Sequence, residues 1–545
     1  MKTILLIFSF LLIIHYSEAQ VQVWQKWTKV FKSEKQYSNP YADLTVKAEF
    51  SGPDNLKYIV NGYWTGDSNY AISFSFPKPG NWTWKTICND EGNGGLHLQS
   101  GEVKVKKYRG KNPLYRNGFL KVGENKRYLA FDNDKPFLWM GCTAWNGAVA
   151  STMDEWEEYI NDRTKKHFTI IQVTPFRKEW QQDGSLKRVV NATETKAEKN
   201  KLGDEPFSGY FDKINPAYWA DFAQKVEYAN KNGLVVVLVG LPGWQFYFDN
   251  PGEQKTFAQY LTGLLAGNFV IFSPSSDRPY SIKSDVMAMV IDSMDSRHLI
   301  TQHPGTGPQG TVSVIAQAYY DKPYLDFSMC QSGHNGGRRD KCAHNAIYWN
   351  LSLYNRESHK PVINGEAFYH GGNRNATEEK YRGTDTDARS LGWLSWLSGS
   401  LGYTYGALGI WNWGLTTAGV YVPWRDAIQL NSSFQMKYMS EFFSKINWWE
   451  LGPFSQAIVN QSQDTITQMV FAKNEEGTLA VAYLPDNRNV EIDMDVFKSS
   501  VKAKWFNPRN NQFLFIHGEL ENRGLYSFDT PVSDPGDWVL LMQCK

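Results

Sequence analysis

The chain has 545 residues, 42% hydrophobic and 21% charged, with 57 Lys and Arg against 56 Asp and Glu for a formal net charge of +1. That length exceeds a single core and calls for roughly two to four domains. The balanced charge offers no basic field for nucleic acid or an anionic membrane surface. Aromatics make up 15%, including 21 Trp and 29 Tyr, a supply that serves either cores or a neutral partner such as a sugar, whose C–H faces pack on indole and phenol rings.

Residues 1–19 read as a secretory signal. Lys2 opens it, residues 4–14 are apolar, and Ser17 and Ala19 are the small residues that cleavage favours. The apolar run is too short to span a bilayer, and no later stretch is long and apolar enough, so a secreted or periplasmic protein without membrane insertion is expected. The five cysteines (Cys88, Cys142, Cys330, Cys342 and Cys544) are an odd, sparse set rather than a disulfide framework. Cys142 and Cys330 adjoin strand-like runs and read as buried thiols, while a Cys330–Cys342 bridge stays open on proximity alone.

Residues 20–112 carry short alternating runs at 44–50, 71–76, 82–86 and 101–105, separated by turn residues such as Pro53, Asp54 and Asn55. Strands at this spacing predict a β-sandwich. Over residues 113–450 the pattern changes to apolar runs of strand length alternating with helical stretches. The strand candidates are 137–145, 168–174, 234–240, 268–273, 299–303, 324–329, 361–366 and 403–411. Helical stretches fall at 152–166, 216–232, 254–266, 284–295, 342–356 and 387–397. This count predicts a (β/α)8 TIM barrel. A doubly wound sheet fits less well, because no glycine-rich phosphate loop follows the first strand. After Trp448, Trp449 and Pro453 alternation returns, and residues 451–545 read as a second β-sandwich. The expected class is a central α/β barrel flanked by two all-β domains.

In a barrel of this kind the residues that close each strand face the active-site mouth. Residues 361–366 run from Pro361 through Val362 and Ile363 to Glu366, and residues 268–273 lead on to Ser275, Ser276, Asp277 and Arg278. Two carboxylates at the ends of two strands are the minimum equipment for cleaving a glycosidic bond. Each alone also reads as a cap or a salt-bridge partner. Other strand ends are polar or aromatic: Trp145, Gln172, His303, Gln331, His334, Asn335, Tyr369, Tyr405, Trp411 and Trp413 are candidates to hydrogen-bond hydroxyls and stack a sugar ring. No HExxH pair or convergent Cys/His set suggests a metal, no cofactor is expected, and no Gly-x-Ser-x-Gly elbow suggests a serine hydrolase.

Several segments, in order, carry a family resemblance. They include Gly62-Tyr63-Trp64-Thr65-Gly66, Gly141-Cys142-Thr143-Ala144-Trp145, His298 through Pro304, Gln331-Ser332-Gly333-His334, Asn364-Gly365-Glu366, Gly409 through Trp413, and Trp505-Phe506-Asn507-Pro508. The chain resembles exported apiosidase-like glycoside hydrolases with an N-terminal domain of unknown function (DUF5060) and a C-terminal sandwich labelled collagen-binding. The resemblance implies a nucleophile at Glu366 and an acid/base at Asp277. Two departures stand out: Ser275 and Ser276 replace a Gly-Gly pair before Asp277, and Cys142 stands where relatives often carry an aspartate. The implied function is a secreted hydrolase of plant or algal polysaccharide, retaining in stereochemistry. The alternative from another class is a non-catalytic polysaccharide- or matrix-binding protein on the same scaffold.

Overall fold

The computed structural model describes residues 21–176, 190–191, 194–195, 199–208, 213–241, 251–276, 282–305, 314–333, 338–372, 382–416, 420–531 and 534–545. Strands β1 (Lys26–Lys32), β2 (Val46–Ser51), β3 (Lys57–Gly66), β4 (Asn69–Ser75), β5 (Gly80–Cys88) and β6 (Ser100–Val105) form an antiparallel sheet in the order β1-β4-β3-β2-β5-β6. In β2 and β5 buried and exposed residues alternate as the sequence does. The sheet folds over on its apolar face. Trp27 and Phe31 of β1 meet Trp84 of β5 at ring centroid distances of 6.1 and 5.5 Å, and Phe50 stacks on Phe74 at 4.2 Å.

The central unit is a curled parallel sheet with helices on its outer side. Its elements in chain order are β7 (Trp139–Thr143), α1 (Met153–Lys165), β8 (Ile170–Val173), α2 (Pro216–Lys231), β9 (Val235–Val239), α3 (Pro251–Leu265), β10 (Val270–Ser273), α4 (Ile282–Met294), β11 (Ser328–Gln331), α5 (Arg339–Tyr354), β12 (Val362–Glu366), α6 (Asp385–Leu397), β13 (Gly402–Tyr405) and α7 (Asn431–Phe443). The seven strands pair in the order β10-β9-β8-β7-β13-β12-β11. Helix α1 shows why such segments form where they do. Thr152 and Glu155 close a capping box at its start, and Trp156, Tyr159, Ile160 and Arg163 bury one face at helical spacing.

Three strand expectations change in detail. Residues 299–303 do not form a full strand but a single parallel bridge, Phe272 to Ile300. Backbone bonds from Phe272 N to Leu299 O (3.0 Å) and from Thr301 N to Phe272 O (2.9 Å) flank it. On the other side Asp326 N donates to Ile300 O at 3.0 Å, so the segment lies between β10 and β11. The strand expected at 324–329 begins only at Ser328, because Asp326 turns its carboxylate to accept from Ile300 N at 2.7 Å. The run at 403–411 stops at Tyr405 and continues as turns.

The last unit contains β14 (Gly452–Pro453), β15 (Val470–Lys473), β16 (Leu479–Leu484), β17 (Asn489–Asp493), β18 (Val501–Asn507), β19 (Gln512–Phe515), β20 (Leu525–Asp529) and β21 (Trp538–Cys544). An antiparallel sheet runs β14-β15-β16-β21-β18-β19, and β17 pairs with β20. All five cysteines are free. Cys330 donates instead to Asn350 Oδ1 at 2.8 Å and Cys342 to Gly333 O at 3.0 Å, so the open Cys330–Cys342 pairing is absent.

The outer sheets are bonded to the central unit through buried polar contacts. Asn61 on β3 donates to Thr262 on α3 at 3.0 Å, and a Cβ on Gly263 would lie 2.8 Å from Asn61 O and 2.9 Å from Gly62 O. The helix therefore lies against the strand backbone, which only glycine permits. This also explains β4, where six of seven residues are buried instead of alternating: it has a core on one side and α3 on the other. At the far end Arg389 of α6 binds Asp537, just before β21, through Nε (2.8 Å) and Nη2 (2.7 Å). Trp393 on the same helix lies parallel to Tyr483 at 6.2 Å.

Candidate active site

Strand β12 determines the site. Val362 packs outward with Tyr320, Cys330 and Leu353. Ile363 points into the inner core with Trp139, Phe327 and Met329. Asn364 turns outward again, and its amide donates to Ser395 Oγ on α6 at 2.8 Å and to Ser332 Oγ at 2.9 Å. Strict alternation would next send Gly365 inward and Glu366 outward. The ladder breaks that rule: Asn364 pairs with Cys330 and Glu366 with Gln331, leaving Gly365 as an extra residue. This bulge turns Glu366 to the inside. There, at 3% exposure, its Oε2 lies 3.4 Å from His303 Nε2.

Around this pair the inner ends of other strands supply an aromatic wall. Trp145, which follows β7, sets its indole edge-to-face against His303 at 5.3 Å and 86°, and its Nε1 donates to Tyr369 OH at 2.9 Å. Tyr369 lies over Gly406, where a Cβ would come within 2.2 Å of the ring, and its centroid is 6.3 Å from Trp411. Trp411 in turn donates to Gly372 O at 3.4 Å. The His303 backbone N–H donates to Ser273 Oγ at the end of β10, 2.9 Å away. Gln172 on β8 reaches across to donate to Gly365 O at 2.6 Å. Gln331, the ladder partner of Glu366, is buried, and its Oε1 has no hydrogen-bond partner among the described residues.

Seven of the residues expected at the mouth thus converge: Glu366, Trp145, Gln172, His303, Gln331, Tyr369 and Trp411. Two do not. Tyr405 and Trp413 belong to the outer layer, where Tyr405 OH bonds Ser432 Oγ at 2.8 Å and Trp413 stacks on Trp424 at 4.8 Å and 13°. The reason for Tyr405 is parity. Thr404 is inside, accepting from Trp139 Nε1 at 3.0 Å, so Tyr403 and Tyr405 must face the helices. Asp277, His334 and Asn335 lie outside the described residues.

Cys142 shares the parity of Tyr405. It faces outward, receives Arg163 Nη1 at 3.7 Å, and burial pushes its thiol up despite that guanidinium. Burial pushes Cys330 up to about 12. Both thiols stay protonated and neither offers a nucleophile. Among the described residues no group of three His, Cys, Asp or Glu side chains is gathered to hold a metal ion. Sequence reasoning gave no role to Asn364, Ser332 and Ser395, which hydrogen-bond one another behind the strand, or to Gly365, the extra residue before Glu366. The one visible signal was an asparagine inside an otherwise apolar strand.

Residues 123–450 match the family model described as "Apiosidase-like, catalytic domain". The chain belongs to this family. It is a glycosidase, with residues 20–89 matching the domain of unknown function DUF5060 and residues 453–543 matching "Putative collagen-binding domain of a collagenase". A solved glycoside hydrolase is 24% identical with a TM-score of 0.66, covering 80% of this chain and 98% of its own. A glycoside hydrolase family 5 structure from Bacteroides vulgatus ATCC 8482 is 23% identical with a TM-score of 0.68, covering 79% and 94%. Another structure from that organism is 16% identical with a TM-score of 0.69 and covers 96% and 99%, so the likeness in fold extends over all three units. A comparison with curated proteins gives no match. At these identities the solved structures speak for the fold of this apiosidase-like chain and not for its substrate.

Proposed function

We propose that this apiosidase-like glycosidase is exported and cleaves plant or algal polysaccharide with retention of configuration. In this reading Glu366 is the nucleophile, Asp277 the acid/base, and the segment around Ile300 fills the eighth place of a (β/α)8 barrel. The observation that carries it is a buried carboxylate turned inward beside His303, whose imidazole meets the Trp145 indole, itself hydrogen-bonded to Tyr369. A sugar ring entering there meets apolar faces and one anionic oxygen pair, the arrangement that glycosyl transfer to a carboxylate requires.

The chemistry proceeds in two balanced steps. A Glu366 oxygen attacks the anomeric carbon, the bond to the leaving oxygen breaks, and that oxygen takes the proton of the Asp277 carboxyl. Asp277, now a carboxylate, takes a proton from water; the water oxygen attacks the anomeric carbon and the ester to Glu366 breaks. His303, within 3.4 Å of Oε2, orients the carboxylate before it attacks and receives it again when the ester breaks. The test is Glu366→Gln against a panel of plant and algal glycans, with the anomeric form of the first product read by NMR. Loss of several orders of magnitude in rate, together with retained configuration in the wild type, supports the reading. Undiminished turnover in Glu366→Gln overturns it, and an inverted product overturns the role of Glu366 as nucleophile.

A further inference from the structure

We infer that Asn364 and Gln172 are positioning residues that act on Glu366 through the Gly365 bulge, one from each side of strand β12. The inference rests on the reading that Glu366 carries the chemistry. A bulge is held only if the extra residue cannot slip back into register. Three contacts prevent the slip here.

From the helix side, Asn364 is fully saturated. Its Nδ2 donates to Ser332 Oγ and Ser395 Oγ, its Oδ1 accepts from Ser332 N at 3.4 Å, and its own N–H donates to Ser400 Oγ at 2.7 Å. The serines are themselves committed, Ser395 Oγ to Leu391 O at 2.6 Å and Ser400 Oγ to Gly402 O at 2.7 Å. Asn364, Ser332, Ser395 and Ser400 are each 0% exposed, so none can trade these bonds for water, and losing one partner leaves the other unsatisfied. Asn364 therefore ties β12 to α6, to the end of β11 and to the start of β13 at the residue before the bulge.

From the inner side, Gln172 holds the bulge itself. Gly365 O is an acceptor only, so the Gln172 amide must present Nε2 to it, which fixes the orientation of the side chain. Gly365 itself has Met329 beneath it, whose Sδ and Cγ lie 2.3 and 2.4 Å from where a Cβ would be. Asn364 outside, Gln172 inside and the bare Cα of Gly365 between them leave Glu366 one direction to take. Neither Asn364 nor Gln172 needs to touch the reacting atoms to do this. A displacement of about 1 Å in such a group costs on the order of 100-fold in rate.

The experiment compares Asn364→Ser, Gln172→Leu and the milder Ser395→Ala, which removes one acceptor of the Asn364 amide. Each is measured for kcat, KM, the pH profile of kcat/KM and Tm, on whichever glycan or aryl glycoside the wild type turns over. Expected are kcat losses of about 10- to 100-fold for Asn364→Ser and Gln172→Leu, with KM changed less than about threefold and the acidic limb displaced. Ser395→Ala should show the same signature at smaller size, and it remains informative if Asn364→Ser does not fold. The Asn364→Ser/Gln172→Leu pair should lose less than the product of its parts, since both act on one bulge. Ile363→Val is the control, expected to lower Tm with the acidic limb unmoved. Folded variants with wild-type kcat and an unmoved acidic limb overturn the inference while Glu366→Gln remains inactive. Activity in Glu366→Gln overturns the reading beneath it.

Discussion

Arg389 and Asp537 form a bidentate ion pair, 2.7 and 2.8 Å, with side chains only 3% and 1% exposed. The guanidinium also donates to Gln435 Oε1 at 2.7 Å, and Tyr483 OH donates to the same carboxylate at 3.1 Å. Every strong hydrogen-bonding group in this knot has a partner, and it joins α6 to the C-terminal sheet. Removing one charge strands the other in a dry site. Asp537→Ala should cost about 3–5 kcal/mol, read as a fall in the denaturant midpoint. An Arg389→Met/Asp537→Leu double replacement should recover much of that loss, and a double variant no better than the single would refute the account.

A second prediction concerns the group proposed to donate the proton. Asp277→Asn should slow hydrolysis of substrates with poor leaving groups far more than that of activated aryl glycosides, whose leaving oxygen needs no proton. Michaelis–Menten rates on a series of aryl glycosides of falling leaving-group pKa measure the slope. Equal losses along the series would remove Asp277 from the acid role.

Gly365 gives a steric prediction. Gly365→Ala forces a methyl into Met329, which is 1% exposed in the inner core. The bulge must then move, and Glu366 with it. The expected outcome is a kcat loss of about 10-fold or more with partial recovery in Gly365→Ala/Met329→Ala, where the space beneath is opened. No recovery in the double variant, with both proteins folded, would mean that the crowding is not the cause.

Asp326 makes stability depend on pH. Burial, foremost, raises its carboxyl to about 6, against the lowering effect of the Ile300 N–H it accepts from; Asp292 raises it further. A carboxyl that holds its proton more tightly folded than unfolded favours folding below the unfolded value near 3.8. That contribution is lost as pH rises through about 6. Asp326→Asn keeps an acceptor for Ile300 N–H and abolishes the titration. The variant should gain about 1–3 kcal/mol relative to wild type at pH 7 and little at pH 4. Equal gains at both pH values would rule the mechanism out.

Much of the architecture is legible in the sequence, because apolar runs and capping residues are local signals. The capping box at Thr152 and Glu155 and the buried stripe after it fix α1 within a residue. What depends on tertiary context is not legible. Parity within β13 decides that Tyr405 faces the helices, and it follows from Thr404 being inside, which no residue type announces. The bulge at Gly365 reverses the parity of β12, and a reading by alternation alone would have sent Glu366 outward. Burial of both faces of β4 comes from a helix nearly two hundred residues away in the chain. Among the expected mouth residues, Glu366 joins the site through a bulge and His303 from a segment with a single bridge, features that no local pattern announces.

The close seat of Gly263 on the backbone of β3 bears on how such proteins can be taken apart or recombined. A module joined by a tether can be exchanged for another with only its ends matched. Here the N-terminal sheet meets a helix whose small residue is cut to fit it, and Asn61 and Thr262 must come as a pair. A chimera that swaps this sheet alone inherits a mismatched seam. The unit that can be transplanted is the sheet together with helix α3, although the two are far apart in the chain.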